Sequence, residues 1–161
     1  MGQLGEAPAG FSVASGITQL SSQSPQTRSK ASVGIENGSK PSAESELALR
    51  TIAMPVFANS HGDIFGGWLL SQMDLAGSAV AVRRANGRVV TIAVTAMSFQ
   101  RPVFVGDEVS CYAKIVKVGR TSITVEVEAF ARRDRSGEAI KVTQGVFTYV
   151  AVNAQSRPRP V

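Results

Sequence analysis

Between Asn59 and Asp74 the chain reads Asn-Ser-His-Gly-Asp-Ile-Phe-Gly-Gly-Trp-Leu-Leu-Ser-Gln-Met-Asp, a polar turn with one acid running into an apolar stretch. Asp63 precedes the paired glycines Gly66 and Gly67 by three residues. Glycines in a first helical turn leave free N–H groups open to close approach, and such groups attract negative charge. A carboxylate beside an anion site suggests hydrolysis. Asp is also a preferred helix cap, and glycines also permit close packing, so a structural role for the three residues stays open. Two glycines cost a helix roughly 1 kcal/mol each relative to Ala, and capping requires neither. His61 is the only histidine, so Ser71 and Ser78, which also lack a strand-to-helix elbow, have no convincing triad.

The elements that must position this stretch follow from periodicity. Leu69, Met73, Ala76 and Val80 recur at spacings of four, three and four, which predicts a helix from about Phe65 to Arg84. Its other faces, with Leu70, Gly77, Ala79 and Ala81, are also apolar or small, so it is expected to be largely buried. Glu46 to Met54 reads as a strand stopped by Pro55. Beyond Asn86-Gly87, four strands are expected at Val89 to Phe99, Val109 to Val118, Thr121 to Arg133 and Ala139 to Val152. Turns fall at Gly106-Asp107, Gly119-Arg120 and Ser136-Gly137. The order predicts an α+β domain, a meander wrapped round one long central helix, with sheet edges or a face left for a second copy.

Residues 1–45 hold ten serines and only three acids against three bases, a low-complexity tail expected to be disordered. The domain is expected at 46–153, with a short C-terminal tail at 154–161. The formal net charge of +5 belongs to the part beyond the tail. Its cations are scattered: Arg83, Arg84 and Arg88 follow the helix, Lys114, Lys117 and Arg120 flank one hairpin, and Arg132, Arg133 and Arg135 another. With aromatic residues at 6%, that pattern disfavours a nucleic-acid partner. No apolar run approaches the ~20 residues of a membrane span, and the N-terminus lacks the charged and apolar segments of a secretory signal. A lone cysteine, Cys111, fits a reducing compartment, and a cytoplasmic protein is expected. No His/Cys/Asp/Glu cluster has metal-ligand spacing, and neither a metal nor another cofactor is expected.

Several of these segments, taken together, resemble the YciA-type acyl-CoA thioesterases of the hotdog-fold superfamily. They are Arg50–Pro55, Asn59–Trp68, Ser98–Val103, Val105-Gly106-Asp107, Phe147–Val152 and Arg157–Pro160. The resemblance covers most of the folded part and none of the tail. It implies a hotdog fold, hydrolysis of acyl-CoA to free acid and coenzyme A, and active sites formed between the subunits of a homodimer, with tetramers or hexamers beyond it. It makes Asp63 the catalytic carboxylate, as base or as nucleophile. The backbone N–H groups of Gly66 and Gly67 would form the oxyanion hole, with Asn59 positioning water or the thioester carbonyl. A basic surface for the CoA phosphates would draw on Arg88, Arg101, Lys117 and Arg120, with donors from Gly119, Thr121 and Ser122. The acyl chain would lie against the helix near Phe65, Trp68 or Met73. His61 and the stretch Val56-Phe57-Ala58 depart from the usual family pattern. A dehydratase would need a differently placed histidine–acid pair, and a non-catalytic acyl-CoA sensor would gain nothing from Asp63.

Overall fold

A computed structural model describes residues 40–133 and 137–161. The first strand, β1 (Glu46–Ile52), stops short of Pro55, where a single 3-10 turn, Pro55–Phe57, redirects the chain. The only α-helix among the described residues, α1 (Gly66–Ala85), is followed by β2 (Val89–Phe99), β3 (Glu108–Val118), β4 (Ser122–Arg132) and β5 (Ile140–Ala151). The turn expected at Ser136-Gly137 lies partly outside the described residues. α1 ends at Asn86 in the left-handed conformation, φ 46°, with Gly87 N–H returning to Val82 O at 3.2 Å. Asn-Gly is the expected pair for such a stop.

All five strands form one antiparallel sheet in the order β1-β3-β4-β5-β2. This corrects the simple meander: only β3, β4 and β5 follow one another, and β2 lies beyond β5 rather than beside β3. A helix laid across the sheet between β1 and β2 carries them to opposite edges, and the three later strands fill the gap. Helix and sheet meet in an apolar core that includes Met73, Val109, Cys111, Val125, Val127, Phe147 and Tyr149. Full burial of rings such as Phe147 contributes about 1.5–3 kcal/mol each. Gly77 is required by close approach, since a Cβ there would lie 2.4 Å from the Tyr149 hydroxyl. That hydroxyl faces Asp74 O and Oδ1 at 3.1 and 3.2 Å, and Thr91 Oγ1 donates to the same Oδ1 at 2.8 Å.

The expectation of a largely buried helix is not met in the single chain. Seven of its twenty residues are buried, while Leu75 and Val82 remain 55% and 42% exposed. One sheet can cover only one side of a helix, and the opposite apolar side is left uncovered. The edge strand β2 is similarly bare, with Ile92, Val94 and Phe99 exposed. The opposite face of the sheet carries ion pairs between Lys114 and Glu126 at 3.1 Å and between Lys141 and Glu128 at 2.6 Å, beside an edge-on contact of Tyr112 with Phe130. Residues 153–161 fold back on the domain: Arg159 N–H donates to Ala151 O, and its guanidinium donates to Ala85 O at 2.8 Å, closing the carbonyl end of α1.

Candidate active site

Asp63 sits in a tightly closed loop. Asn59 accepts the N–H groups of His61 and Asp63 on its side-chain oxygen, at 2.9 and 3.1 Å, and its own N–H donates to Asp63 O at 2.8 Å. Gly62, at φ 86°, makes the reversal that an L-residue would resist. The loop exits into a short ladder: Asp63 bridges Phe104, and Ile64 N–H donates to Val103 O at 2.8 Å. Phe104 is held in turn by the buried Asp107, whose Oδ2 accepts its N–H at 3.0 Å. Arg133 lies 3.7 Å from that oxygen and donates to Pro102 O. The Asp63 backbone is thus fixed on both sides, and its half-buried carboxylate has no ion pair or hydrogen bond among the described residues.

The helix start departs from the ordinary. Its N-cap is Phe65, which provides no side-chain cap, and no acid lies in the first turn. Asp63 therefore does not cap α1. Trp68 and Leu69 N–H reach back to Phe65 O, while Gly66 and Gly67 N–H have no acceptor among the described residues. The two glycines differ. A Cβ at Gly66 would lie 3.1 Å from Phe99 Cζ, so its bareness accommodates that ring. A Cβ at Gly67 would meet nothing within 4 Å, so packing within the chain does not explain it.

Beside Gly66 opens a cleft of about 310 Å³ lined by Ile64, Leu69 and the run Phe99 to Val103. It places Arg101 beside Gly66 at the start of the helix. The remaining basic candidates gather elsewhere. Arg88 O accepts Val152 N–H, Thr121 O accepts Ala151 N–H, and Arg120 O accepts Val161 N–H, so Arg88 and the β3–β4 hairpin meet at the end of β5. Gly119 N–H closes that hairpin on Ser122 O at 2.8 Å, and Lys117 pairs with Thr124 across it. A 20-residue helix spans about 30 Å, and within one chain this basic end lies at the far end of α1 from Asp63. Asp63, Gly66, Gly67, Asn59 and Arg101 are brought together; Arg88, Lys117, Gly119, Arg120, Thr121 and Ser122 form a second group.

Three apolar candidates separate on exposure. Met73 is fully buried in the core, Trp68 is stacked on Phe57 at 5.4 Å, and Phe65 stands 56% exposed at the cap. The walls of the cleft, Ile64, Leu69, Phe99, Pro102 and Val103, were not singled out by sequence reasoning as ligand contacts. The signal available was the Ser98–Val103 segment, whose likeness to the family has no explanation in strand periodicity. Cys111 is buried, and burial pushes its thiol up to about 12. No group of three or more His, Cys, Asp or Glu among the described residues is placed to hold a metal ion. No helix among them is long and apolar enough to cross a membrane.

Comparison with known proteins agrees with this architecture. Residues 61–138 match the model of the thioesterase superfamily. The acyl-CoA thioester hydrolase YciA of Salmonella typhimurium is 50% identical over 121 residues, covering 73% of this chain and 91% of that protein. Its counterpart in Escherichia coli is 48% identical, covering 72% and 90%. Among solved structures, a hexameric thioesterase from Yersinia pestis shares 48% identity with a TM-score of 0.69, covering 79% of this chain and 98% of that one. A hexameric broad-specificity acyl-coenzyme A thioesterase, HI0827, shares 48% with a TM-score of 0.70, covering 74% and 83%. With a helix wrapped by a five-stranded antiparallel sheet and about half of its aligned residues shared with these enzymes, the chain belongs to the YciA-type acyl-CoA thioester hydrolases of the hotdog thioesterase superfamily.

Proposed function

We propose that this chain hydrolyses acyl-CoA thioesters to a carboxylic acid and coenzyme A, using Asp63 as the catalytic carboxylate. The observation that carries the assignment is the uncapped helix start: Gly66 and Gly67 N–H lack acceptors, and Gly67 is bare for no reason within the chain. In one route Asp63 takes a proton from water as that water attacks the thioester carbon; in the other its oxygen attacks directly and forms an anhydride that water opens. Both routes put negative charge on the carbonyl oxygen, where backbone N–H groups and the helix dipole stabilise it. The C–S bond then breaks and the CoA thiolate leaves without needing strong acid assistance. Asn59 serves this chemistry by holding the loop, since its side-chain oxygen is occupied by backbone N–H groups.

We further propose that the working unit is a homodimer. Antiparallel pairing of β2 with β2 of a second copy would lay the Phe99 end of one strand beside the Val89 end of the other. That brings the second copy's Arg88 and Lys117–Ser122 end toward the Asp63 cleft of the first. Neighbouring strands lie about 4.8 Å apart, so the β3–β4 hairpin stands within the reach of an extended CoA. The bare β2 edge and the exposed Leu75 and Val82 support this pairing. Larger assemblies and a cytoplasmic setting accord with the hexameric relatives and the unpaired Cys111.

The deciding experiment follows thiol release from acyl-CoAs of increasing chain length with wild type, Asp63→Ala and Asp63→Asn. Wild type should release thiol, and both variants should lose at least ~10²-fold in turnover while remaining folded oligomers. Near-normal turnover in the variants would remove Asp63 from the chemistry; binding without release by wild type would leave a sensor. For the shared site, mixing inactive Asp63→Ala with an inactive Lys117→Glu/Arg120→Glu double variant should restore activity in mixed dimers. No recovery in verified mixed dimers would place both halves of each site in one chain.

A further inference from the structure

Resting on the thioesterase reading, we propose that Phe99 sets the acyl-chain preference by bounding the cleft at the helix start. Of the apolar candidates at the helix, Met73 is fully buried, Trp68 is stacked on Phe57, and Phe65, though exposed at the cap, does not line the cleft. The cleft beside Gly66 has apolar walls on both sides, Ile64 and Leu69 from the loop and helix, and Phe99, Pro102 and Val103 from the crossing segment. Among these, Phe99 has the largest side chain, and its ring edge lies against Gly66. A chain lying in the cleft beside the Gly66 N–H therefore borders this ring.

The backbone beneath the ring is built to hold it there. β2 loses its register with β5 between Thr95 and Ser98, where Ala96 takes φ 52°, a left-handed conformation unfavourable for an alanine. Beyond this irregularity the segment is fastened. Thr143 Oγ1 donates to Ser98 O at 2.6 Å, and Gln100 and Arg101 N–H both donate to Val142 O. Thr143 and Val142 are themselves fully buried. A fixed wall discriminates by size, whereas a mobile one adapts to any chain.

The test compares wild type, Phe99→Ala, Phe99→Leu and Phe99→Trp on acyl-CoAs from two to sixteen carbons, with melting temperature and oligomer size measured alongside. One methylene in an apolar pocket is worth roughly 10-fold or more in kcat/KM. Phe99→Ala should therefore raise the ratio of kcat/KM for long over short chains by ~10-fold or more, Phe99→Leu less, and Phe99→Trp should lower it. The change should appear chiefly in KM, because a wall contact is made alike in ground and transition states. Parallel loss on all chains, or an unchanged profile in folded variants, would overturn the assignment of Phe99 and leave the thioesterase reading standing. Absence of hydrolysis by wild type on every chain length would overturn both. Phe99→Leu keeps the test decisive if Phe99→Ala does not fold.

Discussion

Gly67→Ala separates a glycine kept for ligand access from one kept for folding. A methyl group there meets no atom within 4 Å, and the position lies in helical backbone outside the left-handed region. In a helix, alanine is favoured over glycine by about 1 kcal/mol at interior positions and somewhat less in the first turn. The variant should therefore melt a few degrees higher, as a gain of this size shifts a small domain by ~4–8 °C per kcal/mol. The same methyl would stand on the approach to two N–H groups proposed to hold the oxyanion, and a displacement of ~1 Å there costs on the order of 10²-fold in rate. Differential scanning fluorimetry and thiol-release kinetics on one preparation read both effects. A variant that is more stable and fully active would refute the claim that substrate approaches Gly67. A variant with a lowered melting temperature would show that a second copy, rather than substrate, fills the space.

Two further outcomes follow from the hydrogen-bonded frame. Asn59→Ala removes the acceptor of one exposed and one part-buried N–H group and should cost about 0.5–1.5 kcal/mol of stability per bond, with kcat falling more than KM rises. Asn59→Asp keeps that oxygen and should recover most of the rate; an Asp variant as slow as the Ala variant would instead assign the amide to the substrate. Burial, with Asp74 beside it, raises the Tyr149 hydroxyl above its usual range. The folded protein therefore favours the protonated phenol. Its contribution is fully present below the unfolded pKa near ~10 and is lost as pH rises above that value. Denaturant titrations between pH 9 and 11 should show stability falling in wild type more steeply than in Tyr149→Phe, and equal slopes would contradict this.

What the sequence disclosed was mostly local. The bounds of α1, the Asn86-Gly87 stop and all five strands follow from periodicity and turn residues, which act over a few positions. Strand order did not follow, because the placement of β2 beside β5 depends on where the helix crosses the sheet. Nor did the loop bonding of Asn59, whose side-chain oxygen accepts the backbone N–H groups of His61 and Asp63, because such contacts appear only once the loop closes. The cleft walls were missed because Phe99 and Pro102 lie where a strand ends, and no repeat marks a side chain that closes on a distant glycine. Helix burial was overestimated because an apolar surface in sequence does not say whether a sheet or a second copy covers it.

The burial of Cys111 bears on the products of the proposed reaction. Each turnover would liberate a free thiol, and CoA disulfides formed from it could exchange with any exposed protein thiolate. Burial pushes the Cys111 thiol well above its usual range, so it stays protonated at neutral pH, and no part of it reaches solvent. The fold thus protects its only cysteine from becoming a mixed disulfide with the product, and the protein stays silent in a thiol-reactive assay until it unfolds.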